Sequence, residues 1–248
     1  MFEKLKKLLV GDNPMHKSYN NESDVENVLT VIPFPDGRTY SGEVEGIVPH
    51  GYGRMSFPNG NVYEGEFRQG QPNGMMIIKM ANGDVYEGEM KNGLKSGKGK
   101  YTWVSGQVYE GNWSDDKRNG YGVFTSSGAS FTGIWVDSFL EGKGVEIGPD
   151  GYRFEGVFHK SRRVKGKITL PTGDVYEGEF QNNLPHGYGK ETLVDGRVYE
   201  GYFERGLYNG YGKMILPKGI VWIEKEDESG SIYHEEIEGH WLDGHLVD

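Results

Sequence analysis

Large apolar side chains alternate with charged ones over most of the chain, a period of two that predicts strands. The segment Tyr63–Gly74, Tyr-Glu-Gly-Glu-Phe-Arg-Gln-Gly-Gln-Pro-Asn-Gly, is typical. Aligning on its opening triplet gives starts at Tyr40, Tyr63, Tyr86, Tyr109, Phe131, Phe154, Tyr176, Tyr199 and Trp222, spaced six times by 23 residues and twice by 22. Glycine recurs 2, 11, 13 and 20 positions after each start, with a one-residue shift in the short units, and fills 30 of the 32 slots so defined. Repeated short strands of this kind stack neighbour on neighbour to bury a continuous core. Second halves end in Pro58-Asn-Gly60, Ala81-Asn-Gly83, Pro149-Asp-Gly151, Pro171-Thr-Gly173 or Val194-Asp-Gly196, all tight-turn signals. The expectation is hairpin after hairpin, antiparallel throughout.

Charge sets the register. With Pro58–Gly60 as a three-residue loop, Phe57 faces Asn61, Met55 faces Tyr63 and Arg54 faces Glu64; the same count sets Lys100 against Glu110 and Lys190 against Glu200. A two-residue loop would put Arg54 against Gly65 and lose the pairing. One face then carries two aromatic rows. The first is Tyr40, Tyr63, Tyr86, Tyr109, Phe131, Phe154, Tyr176 and Tyr199; the second is Phe67, Met90, Trp113, Trp135, Phe158, Phe180 and Phe203. The opposite face carries Glu64, Glu87, Glu110, Glu155, Glu177 and Glu200. Two strands per unit at the usual strand spacing give a body ~75–80 Å long.

Tyr-x-Gly-x-aromatic followed by Gly-x-Gly on this period resembles the MORN (membrane occupation and recognition nexus) repeat family over residues 40–221, with weaker echoes to either side. The resemblance implies an elongated, twisted antiparallel array of β-hairpins. For function it implies a scaffold, a cytoskeletal or ciliary part, or a membrane-junction part, a spread too wide to choose from.

The expected domain layout has four parts. Residues 1–24 do not repeat; 25–39 form a half-repeat that caps the start; 40–221 hold eight units; 222–248 form an atypical hairpin, 222–236, and a closing half-repeat led by Ile237. In the first part Phe2, Leu5, Leu8 and Leu9 share one helical face, with Lys4, Lys6 and Lys7 around the rest. That short amphipathic helix either rests on the first unit or acts as a weak membrane-surface anchor.

Composition narrows the classes. Of 248 residues 40 are glycine, only ten are proline and none is cysteine, which excludes collagen and a disulfide framework. A net charge of −10 argues against nucleic acid as a partner. The expected location is the cytoplasm, at a membrane surface or a cytoskeletal structure. The carboxylates sit on a hydrated face without a pocket, and no nucleophile turn or phosphate loop occurs. His234, His240 and His245 form no convincing ligand set. The expectation is therefore no catalysis, no metal and no cofactor.

Two candidate sites follow. The first is the ring face, expected to take a helix or extended segment of a partner protein through Tyr63, Phe67, Tyr86, Tyr109, Trp113, Trp135, Phe158, Tyr176, Phe180, Tyr199 and Phe203. The same rings could equally hold the array together and do nothing else, and an uncovered apolar face invites a second copy of the chain. The second is the cationic run His159–Lys167 in the sixth unit. There Lys160, Arg162, Arg163, Lys165 and Lys167 are candidate ligands for an anion such as a phosphoinositide headgroup on a membrane.

Overall fold

A computed structural model describes residues 30–218, 222–227 and 230–247; the expected N-terminal helix lies outside them. Among the described residues every regular element is a strand. Nineteen strands form one antiparallel sheet in which each pairs with the next along the chain, from Thr30–Pro33 against Thr39–Glu45 onward, except that Leu207–Ile215 pairs with Glu236–Leu242. The expected register holds: Met55 faces Tyr63, Arg54 faces Glu64 and Gly53 faces Gly65, while Lys100 meets Glu110 and Lys190 meets Glu200. Phe57 and Asn61 close the loop between them through Phe57 N–H to Asn61 O, 2.9 Å, and Gly60 takes the left-handed turn position, φ +88°.

The array ends in an atypical hairpin and a half-repeat led by Ile237. Trp222 does not open a ninth unit; Trp222–Asp227 pairs with Gly230–His234 in a separate two-stranded sheet. The strand Glu236–Leu242 takes the ninth position, with Ile237 opposite Met214 and Gly239 opposite Gly212. The acidic hairpin is thus an insertion between two paired strands, and His245–Leu246 forms the edge.

Glycine and tyrosine are two halves of one device. A Cβ on Gly99 would lie 2.4 Å from the Tyr86 hydroxyl, and one on Gly53 2.2 Å from that of Tyr40, because each ring lies across the glycines of its own unit. In the units opened by tyrosine a bulge follows the first-strand glycine, as between Gly88 and Met90, and leaves the carbonyl of the extra residue outside the ladder. The tyrosine hydroxyl takes that carbonyl: Tyr40 to Glu43 at 2.6 Å, Tyr86 to Glu89 at 2.7 Å, Tyr109 to Asn112 at 3.0 Å, Tyr176 to Glu179 at 2.8 Å and Tyr199 to Tyr202 at 3.1 Å. A phenylalanine would cover the glycine but leave the carbonyl unpaired. The second row wedges edge-on between tyrosines of successive units. Trp113 touches Tyr109 and Tyr86 at ring-centroid distances of 5.1 and 5.7 Å, and Phe203 touches Tyr199 and Tyr176 at 5.2 and 4.8 Å.

The tight turns inside each unit are stitched together along one edge. Gly70 N–H donates to Pro49 O, Gly93 to Pro72 O and Gly206 to Pro185 O, each at 2.9 Å. At four places where the earlier strand has no proline, its free N–H finds a side-chain oxygen on the later turn. Lys95 N–H donates to Asp116, Arg118 to Ser138, Leu140 to Ser161 and Arg163 to Asn183, over 2.9–3.2 Å. These four acceptors hold positive φ, between 61° and 72°, where glycine would be unstrained. Proline is met by glycine, and the free N–H of Lys95, Arg118, Leu140 and Arg163 by Asp, Ser or Asn; Tyr208 at the end of the array departs from the rule, being met by Gly244.

Candidate functional site

The ring face has a buried floor and a half-exposed stripe. Ten of the eleven expected partner-contact rings are floor: Tyr86, Tyr109 and Tyr199 are 0% exposed, and Phe67, Trp113, Trp135, Phe158, Tyr176, Phe180 and Phe203 stay at 7% or below. This corrects their expected role as contact residues, because their ring faces are occupied by glycine backbone and by one another. Burial pushes the phenols of Tyr40, Tyr109 and Tyr199 up to about 12. The indoles of Trp113 and Trp135 donate to the carbonyls of Gly99 and Gly122, both at 3.1 Å.

Tyr63 is the exception, and the sequence holds the reason. Its unit has Met76 where the others have the second glycine of Gly-x-Gly, and the fully buried Met76 side chain occupies that place. Tyr63 is partly exposed and packs on Phe57 at 4.7 Å. Beyond Met80 the stripe continues through Tyr101, Trp103, Phe124 and Phe131, partly exposed rings with successive centroids 4.4, 5.9 and 6.3 Å apart. Of the four, only Phe131 stood in an aromatic row read from the sequence; Tyr101 and Phe124 lie in strands that return after Gly-x-Gly, and Trp103 just past the end of one. Their signal was the alternation itself, which puts residues 101, 103 and 124 on the ring side.

Three cations enter the same face from one column beside the tight turns. Lys95, Arg118 and Arg163 stand opposite Met90, Trp113 and Phe158. Lys95 pairs with Asp116 at 2.9 Å. Arg163 forms a two-pronged bond to Glu146, 2.9 and 2.8 Å, with both side chains about 10% exposed, and Tyr152 donates to the same carboxylate at 2.5 Å. Burial alone would lower the Arg163 pKa, yet the hydrogen bonds and charge of Glu146 hold it above the usual value. Arg118 rests on Trp135 at 4.3 Å and Phe124 at 5.0 Å, and burial pulls its pKa down.

The cationic run therefore does not act as one cluster. Arg163 is spent on Glu146, which corrects its expected role as an anion ligand: the shortened unit and the strand's alternation send it to the ring face while its neighbours point away. Lys160, Arg162, Lys165 and Lys167 stay exposed, but Lys165 faces Glu179, and Lys167 lies between Glu155 and Glu177. The charged face also carries apolar surface that the acidic rows had masked. Tyr121, Ile134, Val136, Phe139 and Val157 are 40–54% exposed over adjacent strands, and Tyr188 meets Tyr202 at 5.5 Å.

A family model agrees with this repeat. The model of the MORN repeat matches residues 40–62, 63–84, 86–108, 109–128, 131–151, 176–196 and 199–221, passing over the unit from 154 to 175 that carries the cationic run. No curated protein sequence matches the chain. Among solved structures, the TCP10 domain of Danio rerio CPAP is 15% identical, with a TM-score of 0.45, over 86% of this chain and 100% of that one. The TCP domain of Drosophila melanogaster SAS-4 (dCPAP), solved with a proline-rich motif of Ana2 (dSTIL), is 13% identical, with a TM-score of 0.29, over 89% and 98%. Both likenesses are remote. The seven matched units cover more than half of the chain, and the protein belongs to the MORN repeat family.

Proposed function

We propose that the protein is a non-catalytic scaffold that binds an extended or helical segment of a partner protein along the ring face. The observation behind this reading is the stripe Tyr63, Tyr101, Trp103, Phe124 and Phe131, half-exposed rings above a floor that is already closed. Rings that served packing alone would be buried like those beneath them; these keep one side open, as aromatic anchors of an interface do. A photo-crosslinking residue at position 103 should capture the partner, and one at position 134 on the charged face should not. Capture from 134 alone overturns the reading and moves the interface to the apolar patch around Tyr121 and Ile134.

The alternative of an anionic membrane surface draws on the four cations that remain exposed, Lys160, Arg162, Lys165 and Lys167. Sedimentation with vesicles containing a phosphoinositide, lost on neutralising Lys160 and Arg162, would favour it over the scaffold.

A further inference from the structure

Among the described residues, Arg118 is the one cation of its column without an acid. Lys95 has Asp116, and Arg163 has Glu146. At the place equivalent to Asp116 the next unit has Ser138, and at the place equivalent to Glu146 the earlier unit has Tyr101. Among the described residues the guanidinium makes one hydrogen bond, to the Ser138 carbonyl at 2.6 Å, out of the five N–H donors an arginine carries. Its Cζ lies over the rings of Trp135, Phe124 and Tyr109 at 4.3, 5.0 and 5.6 Å from their centroids, which holds it in place. A half-buried, ring-stacked fork with unused donors, beside a half-exposed aromatic stripe, suits an incoming carboxylate.

We propose that Arg118 anchors a carboxylate supplied by the partner, an Asp or Glu side chain flanked by large apolar residues that lie on Trp103, Phe124 and Phe131. This rests on the ring face being the partner surface, and adds the chemistry of what it selects. A peptide carboxylate is favoured over a lipid phosphate because the rings beside Arg118 call for apolar neighbours on the ligand, and the net charge of −10 repels an anionic bilayer.

The test is a selection of random heptapeptides displayed on phage against the full chain and against Arg118→Gln. On the unmodified chain the enriched peptides should carry one acidic position beside Leu, Phe or Trp. Changing that Glu to Gln should weaken binding ~10-fold or more, as loss of a charge-assisted fork does. This arm needs no variant protein, so a folding defect cannot mimic it. On Arg118→Gln the acidic preference should vanish while apolar preference persists, and Arg118→Lys should fall between. Enriched peptides without an acidic position, or an acidic preference that survives Arg118→Gln, overturn the proposal and leave the docking stripe standing. Failure to enrich any peptide overturns both. Binding of the unmodified chain but not Arg118→Gln to phosphatidylcholine vesicles containing phosphatidylserine overturns it in favour of a headgroup.

Discussion

The edge rule, proline met by glycine and a free N–H by a polar side chain, can be rewritten at one site. Pro72 accepts the Gly93 N–H at 2.9 Å and has no N–H of its own. Pro72→Ala creates an N–H beside Gly93 with no acceptor. That costs ~0.5–1.5 kcal/mol for the unmade bond, plus ~0.4–1 kcal/mol for the freer unfolded chain. Gly93→Asn alone costs ~1 kcal/mol, since Gly93 sits at φ +82° but a Cβ there meets nothing within 4 Å. The double variant recreates the pair seen at Arg163 and Asn183, where the amide oxygen accepts the N–H at 3.0 Å. Its loss should fall short of the sum of the two singles by ~1 kcal/mol, the net worth of one hydrogen bond. Urea unfolding of the four proteins gives the coupling, and amide exchange at residue 72 reports the bond directly, fast in the single variant and protected in the double. A coupling below ~0.3 kcal/mol, or exchange at residue 72 equally fast in both, refutes the rule.

Three further outcomes follow from the packing. Gly99→Ala drives a methyl into the Tyr86 ring and should cost ~1–3 kcal/mol by urea midpoint, the range of overpacked cores, without abolishing the fold. Tyr40, Tyr109 and Tyr199 have pKa values of about 12 in the folded chain against about 10 unfolded, so the folded state holds their protons more tightly. Their stabilising contribution is complete below pH ~10 and drains away from there to ~12, so absorbance of phenolate should rise together with loss of circular dichroism, not before it. Arg163→Leu strands the buried Glu146 carboxylate and should cost ~3–5 kcal/mol in thermal or urea unfolding, whereas Arg163→Leu with Glu146→Leu should recover most of it.

Register and faces were legible because two signals agree. The Arg54–Glu64 and Lys100–Glu110 pairs fix the same alignment as the glycine of each three-residue loop. Which rings are exposed was not legible from the rows alone, since Tyr63 and Tyr86 have the same neighbours in sequence on both sides. The difference lies 13 residues on, where Met76 replaces the glycine that Tyr86 finds in Gly99. Arg163 was misassigned because the charges of the run were read together, while a strand sends adjacent residues to opposite faces. Ile237 and Trp222 each open a plausible ninth unit; only pairing with Tyr211 and Gly212, through His240 and Gly239, decides between them. The proline–glycine rule was present in the sequence at a spacing of 21 residues, but it gains meaning only once the turns are known to touch.

Edge-to-face rings run without a break from Tyr86 to Trp135 and again from Phe154 to Trp241, and between the two runs stand Leu140 and the Glu146–Arg163 clamp. The backbone ladder is unbroken across this junction, where Glu146 faces both Phe131 and Phe154. The two runs of rings therefore meet across a charged pair, so loss of that pair would interrupt their side-chain packing while the strand pairing carries on.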